Sequence, residues 1–90
     1  MKTIWKFELE MVGMQNINLP KGAKILTVQT QNEKACLWAL VEIDVAELEQ
    51  RTIVTFGTGH PMPDVSLVYL GTYQVAGGAL IFHVFEQIKQ

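Results

Sequence analysis

Ninety residues with an apolar fraction of 49% and a charged fraction of 18% set the scale of one globular domain and exclude a disordered chain. A net charge of −2, with seven scattered basic residues of which only Arg51 is arginine, excludes duplex nucleic acid held by phosphate neutralisation. No apolar run approaches the roughly 20 residues that span a bilayer, so no membrane partner is expected.

The chain opens on TIWKFELEM. Trp5, Phe7, Leu9 and Met11 fall on one face and Lys6, Glu8 and Glu10 on the other, the alternation of a half-buried strand. The same stretch lacks the uninterrupted apolar core of a signal peptide, which points to the cytoplasm. Gly13 interrupts the pattern, and MQNINL at 14–19 alternates again, less cleanly. Pro20, Lys21 and Gly22 then predict a turn.

Residues 23–31 and 35–43 are β-rich runs, and the three residues Asn32, Glu33 and Lys34 between them predict a hairpin loop. The second run is apolar on both faces, as in a central strand covered on both sides or one that donates a face to a partner. Its Cys36 is the single cysteine. It can form no disulfide within the chain and reads as an inert, buried thiol in a reducing compartment. DVAELEQ at 44–50 is the one helix-like segment, with Asp44 as cap and Glu47 at the capping-box position; a charged loop is the alternative.

A strand over 51–58 leads into FGTGHPMPD at 56–64. Two further strands, 65–75 and 79–88, flank Gly77 and Gly78, which suit a tight turn. Seven short strands with regular turn signals predict a single β-rich domain over 1–90. The fold class is all-β, an antiparallel β-sandwich or small barrel-like sheet with at most one short helix. Strands as two-faced as CLWALV and LIFHVF need more cover than ninety residues provide, so a homo-oligomer is expected.

The glycine loop is the best candidate site. Gly57 and Gly59 let backbone N–H groups approach an anion, and His60 offers a hydrogen bond to a phosphate, ribose or carbonyl. The plainer reading has Gly57 ending the strand, Pro61 and Pro63 stiffening the exit, and His60 capping a turn. No Gly-Lys-Ser/Thr follows, so the loop is not a P-loop. Arg51 either forks to a ligand phosphate or pairs with Glu47 or Glu49. Tyr69, Gly71 and Tyr73 share a face by alternation, and Tyr73 is a candidate to stack on a base. His83, beside Ile81 and Phe85, reads as a hydrogen-bonded core residue. The spacing of His60, His83, Asp64 and Glu86 supports no metal site. Neither G-x-S-x-G nor H-E-x-x-H occurs, so no enzyme and no cofactor are expected.

The blocks KTIWKFEL, LPKGAKILTVQTQ, CLWALVE, FGTGHPMPD and GGALIFHVFE stand in that order over nearly the whole chain. Taken together they resemble a family of small uncharacterised proteins from tailed phages and their prophages, known only as a domain of unknown function. The resemblance implies a phage origin and expression in the cytoplasm of an infected bacterium. It supplies no site residues. It suggests a counter-defence protein that acts by binding. Joined to the reading of the residues themselves, the expectation is a nucleotide-type immune signal sequestered in an oligomer through Gly57, Gly59, His60, Arg51 and Tyr73. The alternatives are a protein–protein inhibitor docking on a host defence complex through Glu42, Asp44, Glu47 and Glu49, and a virion or assembly accessory protein.

Overall fold

In a computed structural model, which describes residues 1–88, the alternating runs become seven strands. They are β1 (Lys2–Glu8), β2 (Met14–Pro20), β3 (Lys24–Gln31), β4 (Lys34–Glu42), β5 (Leu48–Gly57), β6 (Leu67–Val75) and β7 (Leu80–Gln87). All pairings are antiparallel. One sheet has the order β1-β4-β3 and the other β2-β5-β7-β6, and they pack together as an all-β sandwich.

Burying one face of each strand builds the core. Leu19, Val28, Leu37, Val41, Ile53 and Val84 are its largest fully buried side chains, contributed by five strands of both sheets. β4 is the central strand of its sheet, as its two-faced apolarity predicts. Ala35, Leu37, Ala39 and Val41 enter the core, while Cys36, Trp38 and Leu40 lie on the opposite face.

The segment over 44–50 is not helical. Residues 43–44 form a turn, and Leu48, Glu49 and Gln50 already belong to β5, paired with Pro20, Leu19 and Asn18. The local capping pattern loses to the ladder with β2, because pairing there buries Leu19 and places Glu49 beside Arg51. The β3–β4 hairpin also differs from expectation. Its loop is two residues, since Lys34 pairs with Gln31, and both Asn32 (φ 52°) and Glu33 (φ 64°) adopt the left-handed conformation of a type I′ turn. Without a glycine the sequence hides that turn.

Glu33 has a partner that rationalises its conformation. Its carboxylate accepts a 3.0 Å hydrogen bond from the N–H of Ala76, in the short 3-10 turn Ala76–Gly78 that joins β6 to β7. Ala76 is itself left-handed (φ 54°), so two strained turns from opposite sheets are tied together.

Two bulges mark the strands that meet at this flank, one between Ile25 and Thr27 in β3 and one between Tyr69 and Gly71 in β6. Gly71 carries no side chain for a reason. A Cβ there would lie 2.8 Å from the carbonyl oxygen of Val28, so the β3 and β6 backbones are in contact across the sandwich. The β6 bulge also breaks the expected alternation. Tyr69 opposes Phe85 and is exposed, whereas Tyr73 opposes Phe82 and is buried. Tyr69 and Tyr73 therefore do not share a face.

Candidate ligand groove at the His60 loop

β5 ends at Gly57, and the chain turns back immediately: the N–H of His60 donates to the carbonyl of Gly57 at 3.1 Å. The left-handed Gly59 (φ 85°) makes this turn possible. The imidazole of His60 folds over Gly57, where a Cβ would lie 3.0 Å from Cε1 and 3.2 Å from Nδ1. Gly57 is thus the floor on which the ring rests, and a side chain there would push the ring away.

That ring stands between two adjoining depressions. One, of about 200 Å³, is lined by Met11, Val12 and Gly13 from the β1–β2 connection, by Thr55 and Gly57 of β5, and by His60, Tyr73 and Phe82. The other, of about 310 Å³, lies between the loop and the start of β7, with Thr58 and Ile81 on its walls. The rings of Tyr73 and Phe82 are tilted against each other at 5.5 Å between centroids, giving the first groove an aromatic wall. Burial raises the Tyr73 phenol above its ordinary pKa, because the charged form is poorly solvated there. The walls are mainly apolar, with His60 as the exposed polar side chain of the first groove and Thr58 beside it in the second.

Of the five candidate residues, Gly57, His60 and Tyr73 come together in this groove, and Gly59 shapes the loop that closes it. Arg51 lies elsewhere. It stands six residues before Gly57 on β5, about 20 Å along an extended strand. Its guanidinium is only 17% exposed and is engaged within the fold. Nε and Nη2 donate to the Glu86 carboxylate, Nη2 at 2.9 Å, while Nη1 donates to the Ala23 carbonyl at 2.8 Å and to Glu49 at 3.3 Å. The hydrogen bond to Glu86 holds the guanidinium pKa above its usual value. The fork is real, and its carboxylate belongs to the protein.

The acidic residues considered for docking are likewise engaged. Glu42 and Asp44 hold the amino group of Met1, Glu47 pairs with Lys21, and Glu49 with Arg51. No unpaired acidic face results from these four.

Sequence reasoning missed a hydrogen-bond chain on the outer face of the four-stranded sheet. His83 is half-buried, with Nε2 2.7 Å from the Thr58 hydroxyl and Nδ1 3.0 Å from that of Thr72, which bonds in turn to the Tyr69 hydroxyl. Both ring nitrogens are satisfied, and the chain links β6, β7 and the first residue after β5. Beside it the Phe85 ring meets Tyr69 and Phe56 edge-on, at 5.4 and 5.9 Å. The shared parity of Ile81, His83 and Phe85 was the available signal for this face. Among the described residues no three His, Cys, Asp or Glu side chains gather as a metal-binding group, and no helix is long and apolar enough to cross a membrane.

None of the curated proteins and none of the solved structures matches the chain. A family model does, over residues 1–90, and the chain belongs to that family, Domain of unknown function (DUF7352).

Proposed function

We propose that this chain is a non-enzymatic binding protein that holds a small, flat, largely apolar group in the groove beneath His60. The single observation that carries the reading is convergence. Gly57, His60 and Tyr73, from two strands and a loop, line one depression with Phe82 and the β1–β2 connection. A concave, mostly apolar site with a few placed polar groups is the usual form of a small-molecule site.

The groove's chemistry narrows the ligand. Among the described residues no lysine or arginine lines it to clamp a phosphate. A heterocyclic base suits it better, laid on the half-buried ring of Phe82, which the buried Tyr73 backs, and hydrogen-bonded by the imidazole of His60. Sequestration of a nucleotide-type signal by its base, within a homo-oligomer, is the form we favour. The phage counter-defence setting, in the cytoplasm of an infected bacterium, is supported by the resemblance of the ordered sequence blocks alone.

Native mass spectrometry of the protein with a panel of cyclic and linear nucleotides tests this. The expected result is whole-number addition of a nucleotide mass that disappears in His60→Ala while the β-sheet circular dichroism is unchanged. Failure to bind any member of the panel, or binding that His60→Ala leaves intact, overturns the reading.

A further inference from the structure

β1 is the outermost strand of its sheet, and among the described residues its far edge has no strand partner. An unpaired edge that is regular and partly apolar is a template for another strand, and proteins normally blunt such edges with proline, bulges or cover. β3 and β6 carry bulges and cover one another, and β2 ends in Pro20. Among the described residues β1 has no proline, bulge or cover, and its protection is charge alone, from Lys2, Lys6 and Glu8. It pairs with β4 through seven consecutive positions without a register shift, and it presents Ile4 (55% exposed) and Trp5 (43% exposed).

The backbone groups available on that edge are defined by the β4 ladder. The N–H of Leu9 donates to Ala35 and the N–H of Ile43 to Met1, so the odd-numbered residues of β1 turn their backbone groups toward β4. In an antiparallel ladder the alternate residues then face away, leaving Lys2, Ile4, Lys6 and Glu8 with outward N–H and C=O groups.

We infer that β1 pairs antiparallel with β1 of a second copy, in the register that places Trp5 opposite Trp5 of that copy. In this register Lys2 stands opposite Glu8 of the second copy, Ile4 opposite Lys6, and Thr3 opposite Phe7. The outward-facing even residues meet one another, so the free edge groups are paired, and the two tryptophans occupy a non-hydrogen-bonded position, where side chains lie closest. Within one copy the Lys6 ammonium donates to Gln31 at 2.6 Å and Glu8 lies 3.7 Å from Lys34; these exposed contacts yield to or share with the pairs across the new edge. Neighbouring registers that keep the core faces aligned are worse. Centring on Ile4 sets Lys2 against Lys6, and centring on Lys6 sets that lysine against itself. Charge complementarity therefore selects both the partner, a copy of this chain, and the register. The product is a continuous six-stranded sheet, β3-β4-β1-β1-β4-β3.

This inference gives the homo-oligomer of the proposed function a defined interface, and it does not depend on the groove, so His60→Ala is expected to leave the dimer intact. Sedimentation equilibrium without ligand tests it. The wild-type chain of 10.1 kDa is expected to sediment as a dimer. Ile4→Pro removes an outward N–H and no bond to β4, so it is expected to give a folded monomer. Lys2→Glu is expected to weaken the dimer roughly tenfold, because two like-charge cross-strand pairs replace two opposite ones. The double variant Lys2→Glu, Glu8→Lys is expected to restore it. A monomeric wild type overturns the inference. So does a dimer indifferent to the charge swap, which would place the interface elsewhere, as on the outer face around Tyr69 and Phe85.

Discussion

At the flank where β3 meets β6, both strands are bulged, Gly71 lets the backbones touch at Val28, and Glu33 ties the tip of one hairpin to the turn of the other. At the opposite flank β1 and β2 are regular, and Trp5, Met14 and Ile4 remain substantially exposed. The same chain thus closes one side of its sandwich by steric fit and leaves the other as two uncovered strands. The difference teaches where substitutions will be felt. On the closed flank a single methyl group has nowhere to go, and on the open one it meets solvent.

The sharpest way to break this contrast is a pair of glycine substitutions. Gly71→Ala forces a Cβ against the Val28 carbonyl and is expected to cost about 1–3 kcal/mol in denaturant unfolding, toward the upper end because the obstruction is backbone. Gly13→Ala, on the open flank, meets nothing within 4 Å and is expected to leave the midpoint nearly unchanged. Equal effects would dissolve the distinction.

Glu33→Ala comes next. It removes the clasp to Ala76 while leaving the strained turn in place, and about 1 kcal/mol of stability should go with it. Ala76→Gly works in the opposite direction. It relieves a left-handed non-glycine residue without touching the clasp, so unfolding should require up to about 1 kcal/mol more.

The smallest effect is the alkaline limb. Because burial raises the Tyr73 phenol, the folded state keeps this proton above the pH at which the unfolded chain loses it. The associated stability is fully present below the ordinary tyrosine value of about 10 and is lost as pH rises through the folded value. A pH series of unfolding midpoints should fall in that window, and Tyr73→Phe should flatten the fall.

Much of the architecture is legible in the residues, since period-two alternation is a direct imprint of one-sided burial. All seven strands were accessible that way, including the weak β2, whose polar Asn16 and Asn18 face outward while Ile17 and Leu19 point in. What was hidden depended on partners distant in sequence. The 44–50 segment reads locally as a helix, and only β2 makes it a strand. The β6 bulge reverses the parity of Tyr69 relative to Tyr73, and no residue type announces a bulge at Leu70. The His60 groove was half legible. The loop stood out by composition, but Met11, Val12 and Phe82 join it only through the fold. Arg51 follows the plainer of its two expected roles by pairing with Glu49, and six extended residues already separate it from the loop. Its partner Glu86 lies 35 positions away and is paired through β7.

The order of strands in the two sheets bears on how the chain reaches this structure. Only β3–β4 and β6–β7 join neighbours in sequence, and the remaining pairings bring together distant segments. Such topologies fold slowly, in milliseconds to seconds, because long loops must close before the pairing rewards them. The two local hairpins are the natural early structures, and β5 must wait for both β2 and β7. β1 completes its pairing with β4 only after more than thirty further residues, up to Glu42, have followed it. The β1 edge that β4 covers, through the odd-numbered residues, therefore stays unpaired longer than either edge of a local hairpin.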